Sequence, residues 1–288
     1  MLAQGLRAVV VDDGSPEDRS DLYAEVRRLG AEVIELEKNS GIGFALNRGI
    51  ERSFAEGAEF VITVDQDTIL CDGYVDGVRD ALRQIGDARP VLLWTERING
   101  RAVPTAGESD GFAVLHEPLQ SGLVVTARVY DLVGALDEEL FIDCVDSEYA
   151  LRARTLGVDT LVAPGTEAIH QLGYKVERRA PRILAPRGKP FMTIEHAPFR
   201  LYYIARNRSY IYARYGWRYR EWFKISAVQL RMVLFAEIVF PPDSATRFYL
   251  AARGFYGAAR GEKGAIPPRV LRRAATLSRW EAKRSEAA

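Results

Sequence analysis

A chain of 288 residues, 48% apolar and 27% charged, is ordinary for a soluble globular protein and has room for one large domain or one domain plus a substantial appendage. Two cysteines, Cys71 and Cys144, exclude a disulfide framework and a cysteine metal site, which fits a reducing cytoplasm. The formal charge of zero conceals an asymmetry: residues 1–172 carry 15 Lys and Arg against 31 Asp and Glu, and residues 173–288 carry 24 against 8. A basic half of this kind suits phosphate, an anionic membrane surface, nucleic acid or the acidic half itself.

The start reads as no signal peptide, since Met1 leads within a few residues into the strand Ala8-Val9-Val10-Val11. That strand ends in Asp12-Asp13-Gly14-Ser15, and Pro16 suits the first turn of a helix over about 17–29 that stops at Gly30. Residues 31–36 alternate apolar and polar, which predicts a second strand. Asn39-Ser40-Gly41-Ile42-Gly43 then turns into a helix reaching about Ala55. The β-branched run Phe60-Val61-Ile62-Thr63-Val64 predicts a buried strand over 59–64 that stops in Asp65-Gln66-Asp67.

In extended chain, residues i and i+2 point to one side, so Asp65 and Asp67 can face one spot at the carboxyl end of that strand, where open α/β sheets place their ligands. Two hard oxygen donors suit Mg²⁺ or Mn²⁺; the plain alternative is a loop with two solvated aspartates.

A helix follows over 72–85, strands at 91–94 and 122–125, loops and short strands over 100–120, helices at about 128–134 and 146–156, and a short strand at Leu161-Val162 leading to His170. Strand–helix alternation with short links predicts an α/β fold, a mostly parallel sheet with helices on both faces. Residues 173–190 read as a linker or mobile loop, and the text beyond 197 turns helical. The most apolar stretch there, Ile225–Phe240, contains Gln229, Arg231 and Glu237, too polar and short for a membrane span. It suits an amphipathic helix lying on a bilayer or packing on the first domain.

The order Asp12-Asp13-Gly14-Ser15, Asn39-x-Gly41-Ile42-Gly43-x-Ala45-x-Asn47-x-Gly49-Ile50 and Asp65-Gln66-Asp67 resembles the inverting GT-A glycosyltransferases of family 2. The downstream text around Asp143, Asp146, Glu148 and Arg152, then His170-Gln-Leu-Gly173 and Arg200-Leu-Tyr202-Tyr203-x-x-Arg206-Asn207, is similar to bacterial rhamnosyltransferases. The resemblance implies a GT-A nucleotide-sugar and catalytic domain over residues 1–190 and a basic, aromatic-rich helical appendage over 191–288. It implies transfer of a sugar, rhamnose from dTDP-rhamnose, with inversion to a cell-surface glycan or a polyprenyl-diphosphate-linked acceptor. The alternatives are another nucleotide sugar, or a non-catalytic nucleotide- or glycan-binding relative. A specific nucleic-acid partner is not expected, because the arginines lack a reading motif.

The resemblance also distributes roles. Asp12 matches the carboxylate that accepts from the pyrimidine N–H, its plain alternative being a helix cap. Asn39, Gly41, Asn47 and Asp65 join the nucleotide site, with a conformational role for Gly41 and Gly43 as the alternative. Asp67 and His170 would hold the metal against the diphosphate. Asp146 lands on the general base, six residues before Arg152; Val145 and Glu148 depart from the family's Glu and second Asp, which leaves open which acid acts. Glu148, Arg200, Arg206 and Asn207 would meet acceptor or phosphate, Arg200, Arg206 and Asn207 at helical spacings that let them share one face.

The family normally begins with a further strand that helps bind the nucleotide, and Met1 falls just before what would be the second. An upstream start, a shortened chain or a degenerate relative would each account for this. The expected place of action is the cytoplasm, at the inner face of the membrane where a lipid-linked acceptor arrives.

Overall fold

Residues 2–86, 89–171, 173–179 and 190–286 are described by a computed structural model. The first segments follow the sequence pattern closely: β1 (Val9–Asp12), α1 (Ser20–Arg28), β2 (Glu32–Glu35), α2 (Ile42–Ala55), β3 (Phe60–Thr63), β4 (Ile69–Leu70) and α3 (Tyr74–Ile85). Next come β5 (Leu92–Ile98), β6 (Arg101–Ala102), β7 (Gly107–Ser109), β8 (Phe112–Val114), β9 (Leu123–Thr126), α4 (Ala127–Val133), α5 (Val145–Thr155) and β10 (Thr160–Ile169). The chain ends in β11 (Tyr174–Arg179), β12 (Pro190–Glu195), α6 (Arg200–Tyr215), α7 (Arg220–Val239), α8 (Ser244–Ala259) and α9 (Pro268–Glu286). It divides into two compact units, residues 1–141 with 145–170, and residues 142–144 with 171–288.

The first unit is a mixed α/β fold with helices packed on both faces of its sheet. β1 and β2 pair in parallel, and a larger sheet runs β3-β9-β5-β10-β8-β7, with β4 on β10 and β6 on β5. Among the described residues only β10 on β5 is parallel in the larger sheet; β3 on β9, β9 on β5 and β8 on β10 are antiparallel. The sheet is therefore more mixed than strand–helix alternation predicts. Alternation reports local order, whereas β3 takes as neighbour a strand some sixty residues on (Thr63 opposite Leu123).

The sheet is covered on both sides, as period-two burial requires. Leu92, Trp94, Leu123 and Val125 face α2, α4 and α5 through Ile50, Val129, Val133, Tyr149 and Ala153. Val91, Leu93 and Val124 face α3 through Tyr74, Val78 and Ala81. Each fully buried aliphatic side chain contributes about 1.5–3 kcal/mol, so these two layers fix the strand ends from which the site loops spring.

The second unit differs from expectation at its start. The stretch expected as a linker forms a ladder, with Tyr174 to Arg179 antiparallel to Glu195 to Pro190; the rest of that stretch, 180–189, lies outside the described residues. α6 packs on α8, and α8 on α7 and α9. The acid inside the apolar text of α7 has a structural reason. Glu237 is buried, accepts from the His196 amide at 3.1 Å and pairs with Arg247 at 2.5 Å, and Arg247 also pairs with Asp243 at 2.7 Å. No helix among the described residues is long and apolar enough to cross a membrane.

Candidate active site

β1 ends in Asp12, whose carboxylate accepts from the Ser15 amide at 3.0 Å and the Ser15 hydroxyl at 2.5 Å. Burial works to raise its pKa, but the hydrogen bonds from Ser15 and Tyr23 and the nearby Arg19 charge outweigh burial and hold the carboxyl below its ordinary value. Asp13 turns the other way and accepts from the amides of Ser40 and Gly41 at 2.7 and 2.8 Å, tying the loop after β1 to the loop after β2. Gly14, at φ +67°, allows that approach, because a side chain there would collide with the backbone of Lys38 and Asn39. Asn39 is exposed on this rim.

Gly41 is the N-cap of α2 at φ +96°, and a Cβ there would meet Phe141 O at 2.5 Å. Its amide is engaged by Asp13, so the conformational role expected as the alternative has a direct cause. Asn47 is fully buried: its Nδ2 donates to Leu136 O at 3.0 Å and to Glu138 at 2.8 Å, while its Oδ1 accepts from Leu136 N at 2.9 Å. These bonds make Asn47 a clamp on the loop after α4; the structure does not bring it to a ligand-facing surface.

The acids after β3 meet the histidine after β10. One ligand atom each from Asp65, Asp67 and His170 lie within 4.8 Å of one another. His170 Nδ1 is 3.3 Å from Asp67 Oδ1, and Nε2 is 3.9 Å from Asp65 Oδ2. Thr68 Oγ1 lies 2.8 Å from His170 Nδ1 and 2.5 Å from Ser121 Oγ, and the Asp65 amide donates to Ser121 Oγ at 3.0 Å. Asn99 grips the histidine backbone from both sides, donating to His170 O at 2.7 Å and accepting from His170 N at 3.0 Å. Two partly exposed carboxylates and a largely buried imidazole are a donor set that fits Mg²⁺ or Mn²⁺ with room for phosphate oxygens and water.

The same loop reaches Asp146. In the first turn of α5, Asp146 accepts from the Gln120 amide at 2.9 Å and the Ser147 amide at 2.7 Å. Thr63 at the end of β3 donates to Gln120 O at 2.6 Å. Residues Gln120 and Ser121 thus join the carboxylate on α5 to the acid–histidine cluster. Glu148 is buried and held by Arg152, Nε to Oε1 at 3.1 Å and Nη2 to Oε2 at 3.0 Å. Arg152 also donates to Val133 O and Ala135 O, so this pair pins the end of α4.

Arg200, Arg206 and Asn207 belong to the second unit. Asn207, fully buried, donates to the carbonyls of Ile142 and Asp143, both at 2.8 Å. Arg206, also fully buried, donates to Asn207 Oδ1 at 2.9 Å and Gly264 O at 2.7 Å, and stacks near Tyr202 and Tyr203. Arg200 pairs with Asp143. Asp143 and Cys144 take φ of +64° and +66°, conformations costing on the order of 1–3 kcal/mol each. Asn207 thus holds this strained backbone, Arg200 pairs with its Asp143 carboxylate, and Arg206 is engaged by Asn207 and Gly264. Helical spacing put them on one face, but not which way that face turns.

Ser121, Thr68, Gln120 and Asn99 were not singled out from sequence. Only Asn99 carried a local signal, the hairpin dipeptide Asn99-Gly100 at φ +51° and +77°.

The mixed α/β fold is that of the GT-A structures, and residues 2–95 match the model of glycosyl transferase family 2. The chain is 27% identical over 217 residues to the dTDP-rhamnosyl transferase RfbF of Shigella flexneri, covering 71% of this chain and 70% of RfbF. Among solved structures it is similar to S. aureus TarS, with a TM-score of 0.53, 18% identity and coverage of 96% of this chain. The match to TarS 1–349 has a TM-score of 0.50 and 18% identity, and covers 88% of this chain and 71% of that one. The chain spans 48% of the longer TarS chain.

Proposed function

We propose that this protein transfers rhamnose from dTDP-rhamnose, with inversion, to a glycan or polyprenyl-diphosphate-linked acceptor of the cell envelope, working at the membrane's inner face. The carrying observation is the Gln120-Ser121 link, which ties Asp146 to the cluster of Asp65, Asp67 and His170. The similarity to RfbF supports the donor.

In this reading Asp12 accepts from the pyrimidine N–H, with Ser15 fixing its rotamer. Asp65, Asp67 and His170 would hold a divalent ion, which when bound neutralises charge on the departing diphosphate. The acceptor hydroxyl oxygen bonds to the anomeric carbon as the bond to the diphosphate oxygen breaks, and its proton passes to Asp146. One displacement inverts the anomeric centre. Arg152 keeps Glu148 out of this chemistry.

The test is a donor screen over dTDP-, UDP- and GDP-sugars with Mg²⁺ or Mn²⁺, following nucleotide release and thermal stabilisation. Release from dTDP-rhamnose that vanishes in Asp146→Asn is expected. Equal stabilisation by UDP and dTDP would remove the donor assignment; no stabilisation by any nucleotide would remove the transferase reading.

A further inference from the structure

α7 turns two unlike faces to its surroundings. Trp222, Ser226 and Glu237 are buried, with Tyr212 stacking edge-on against Trp222 and both Tyr212 and Arg208 hydrogen-bonding Ser226. On the opposite side Ile225, Val228, Met232, Phe235 and Val239 are exposed, Met232 by 66% and Phe235 by 53%. They recur at steps of three and four, so they form one continuous stripe along the helix. A single exposed apolar residue needs no explanation, but a stripe of five marks an interaction surface.

Charge decides what covers it. Lys224 and Arg231 flank the stripe, and Arg220 stands at the head of the helix, all exposed. Two copies laid along the stripe would bring these cations against like charges, with Glu221 alone to offset them among the exposed α7 residues. An anionic lipid surface satisfies both features at once: acyl chains take up the apolar side chains, and head groups meet the cations. Trp217, 77% exposed in the turn entering α7, is the residue type that settles at a membrane–water boundary. A 20-residue helix is about 30 Å long, and it would lie along the bilayer plane.

We propose that α7 is a docking surface for an anionic phospholipid bilayer, with Ile225, Val228, Met232, Phe235 and Val239 inserted and Lys224 and Arg231 at head-group level. This deepens the membrane contact in the proposed function and needs no donor chemistry. The full chain is floated with phosphatidylcholine vesicles with or without about one third phosphatidylglycerol. Association with the anionic vesicles only, weakened by salt, is expected. Met232→Glu combined with Phe235→Glu, and separately Lys224→Glu combined with Arg231→Glu, each lower the bound fraction at least about tenfold, with unchanged circular dichroism. The proposal fails if the wild-type chain ignores anionic vesicles at low salt, or if the Met232→Glu, Phe235→Glu chain still binds. It fails equally if sedimentation shows a dimer that this variant dissolves while vesicles capture neither form. Because no nucleotide sugar is present, any of these failures leaves the transferase reading untouched.

Discussion

Three acids stand around the start of α5, and conservative amide substitutions separate the proposed base, Asp146, from Glu148, which is held by Arg152. Asp146→Asn keeps shape but replaces one acceptor oxygen with a donor, so either the Gln120 or the Ser147 amide loses its partner. The site is half-buried and water can take up much of that loss, so the cost to stability is about 1 kcal/mol. With Asp146 as the proposed general base, turnover falls by a factor of about 10²–10⁴. Glu148→Gln is the reverse case. Its carboxylate is 4% exposed against Arg152, and breaking a buried pair costs about 3–5 kcal/mol. Arg152 is 19% exposed and keeps two carbonyl partners, which reduces this to about 2–3 kcal/mol, or roughly 5–10 °C in Tm. Thermal melts and nucleotide release from dTDP-rhamnose, measured on both variants, separate the two signatures. Asp146→Asn keeping more than about a tenth of turnover would refute the assignment, as would Glu148→Gln losing turnover at unchanged Tm.

Asp12 has a folded-state pKa below its unfolded value, so its contribution to stability is complete above the unfolded range, about pH 4, and is lost as pH falls through the folded pKa. Urea denaturation of wild type and Asp12→Asn across pH 3–6 should therefore show the difference between them shrinking toward the acid end. Gly41→Ala places a Cβ 2.5 Å from Phe141 O at φ +96° and should cost about 1–3 kcal/mol, read as a lowered melting temperature with little change in turnover per folded molecule. His170→Ala and Asp67→Ala should each abolish the extra thermal stabilisation by Mn²⁺ with dTDP; melting of the metal-free chain shifts little in Asp67→Ala, whose side chain is 45% exposed, and falls in His170→Ala, which removes an 11% exposed ring bonded to Thr68.

The α/β architecture was legible because its signals are local. Apolar runs at 8–11, 59–64 and 122–125 each became a strand, and the helices between them start and stop within a few residues of their expected limits. What local pattern cannot carry is pairing. Nothing in Phe60–Thr63 says that it will lie antiparallel to Leu123–Thr126, so the sheet reads as more parallel than it is. β10 was legible only at Leu161-Val162 because Pro164 and Gly165, which mark its register shift against β5, read as breakers. The β11–β12 ladder escaped because its strands carry charge and proline in place of a clean alternation.

The candidate site divides along a different line. Residue type and order located the candidate side chains at strand termini: Asp12 at the end of β1, Asp65 and Asp67 after β3, His170 after β10. A strand end fixes direction, so the position of these acids in the sequence already says where they point. On helices the same inference loses its footing. Asn47, Glu148, Arg206 and Asn207 have the chemistry of ligand contacts, yet all four are buried and engaged by internal partners. A polar side chain on a helix can cap, clamp or bind, and only its burial and partners separate these uses. The loop at Gln120-Ser121 shows the complementary limit. Its residues are chemically plain, and their importance comes from touching β3, the acid–histidine cluster and α5 at once, a property of the assembled fold that no single stretch of chain contains.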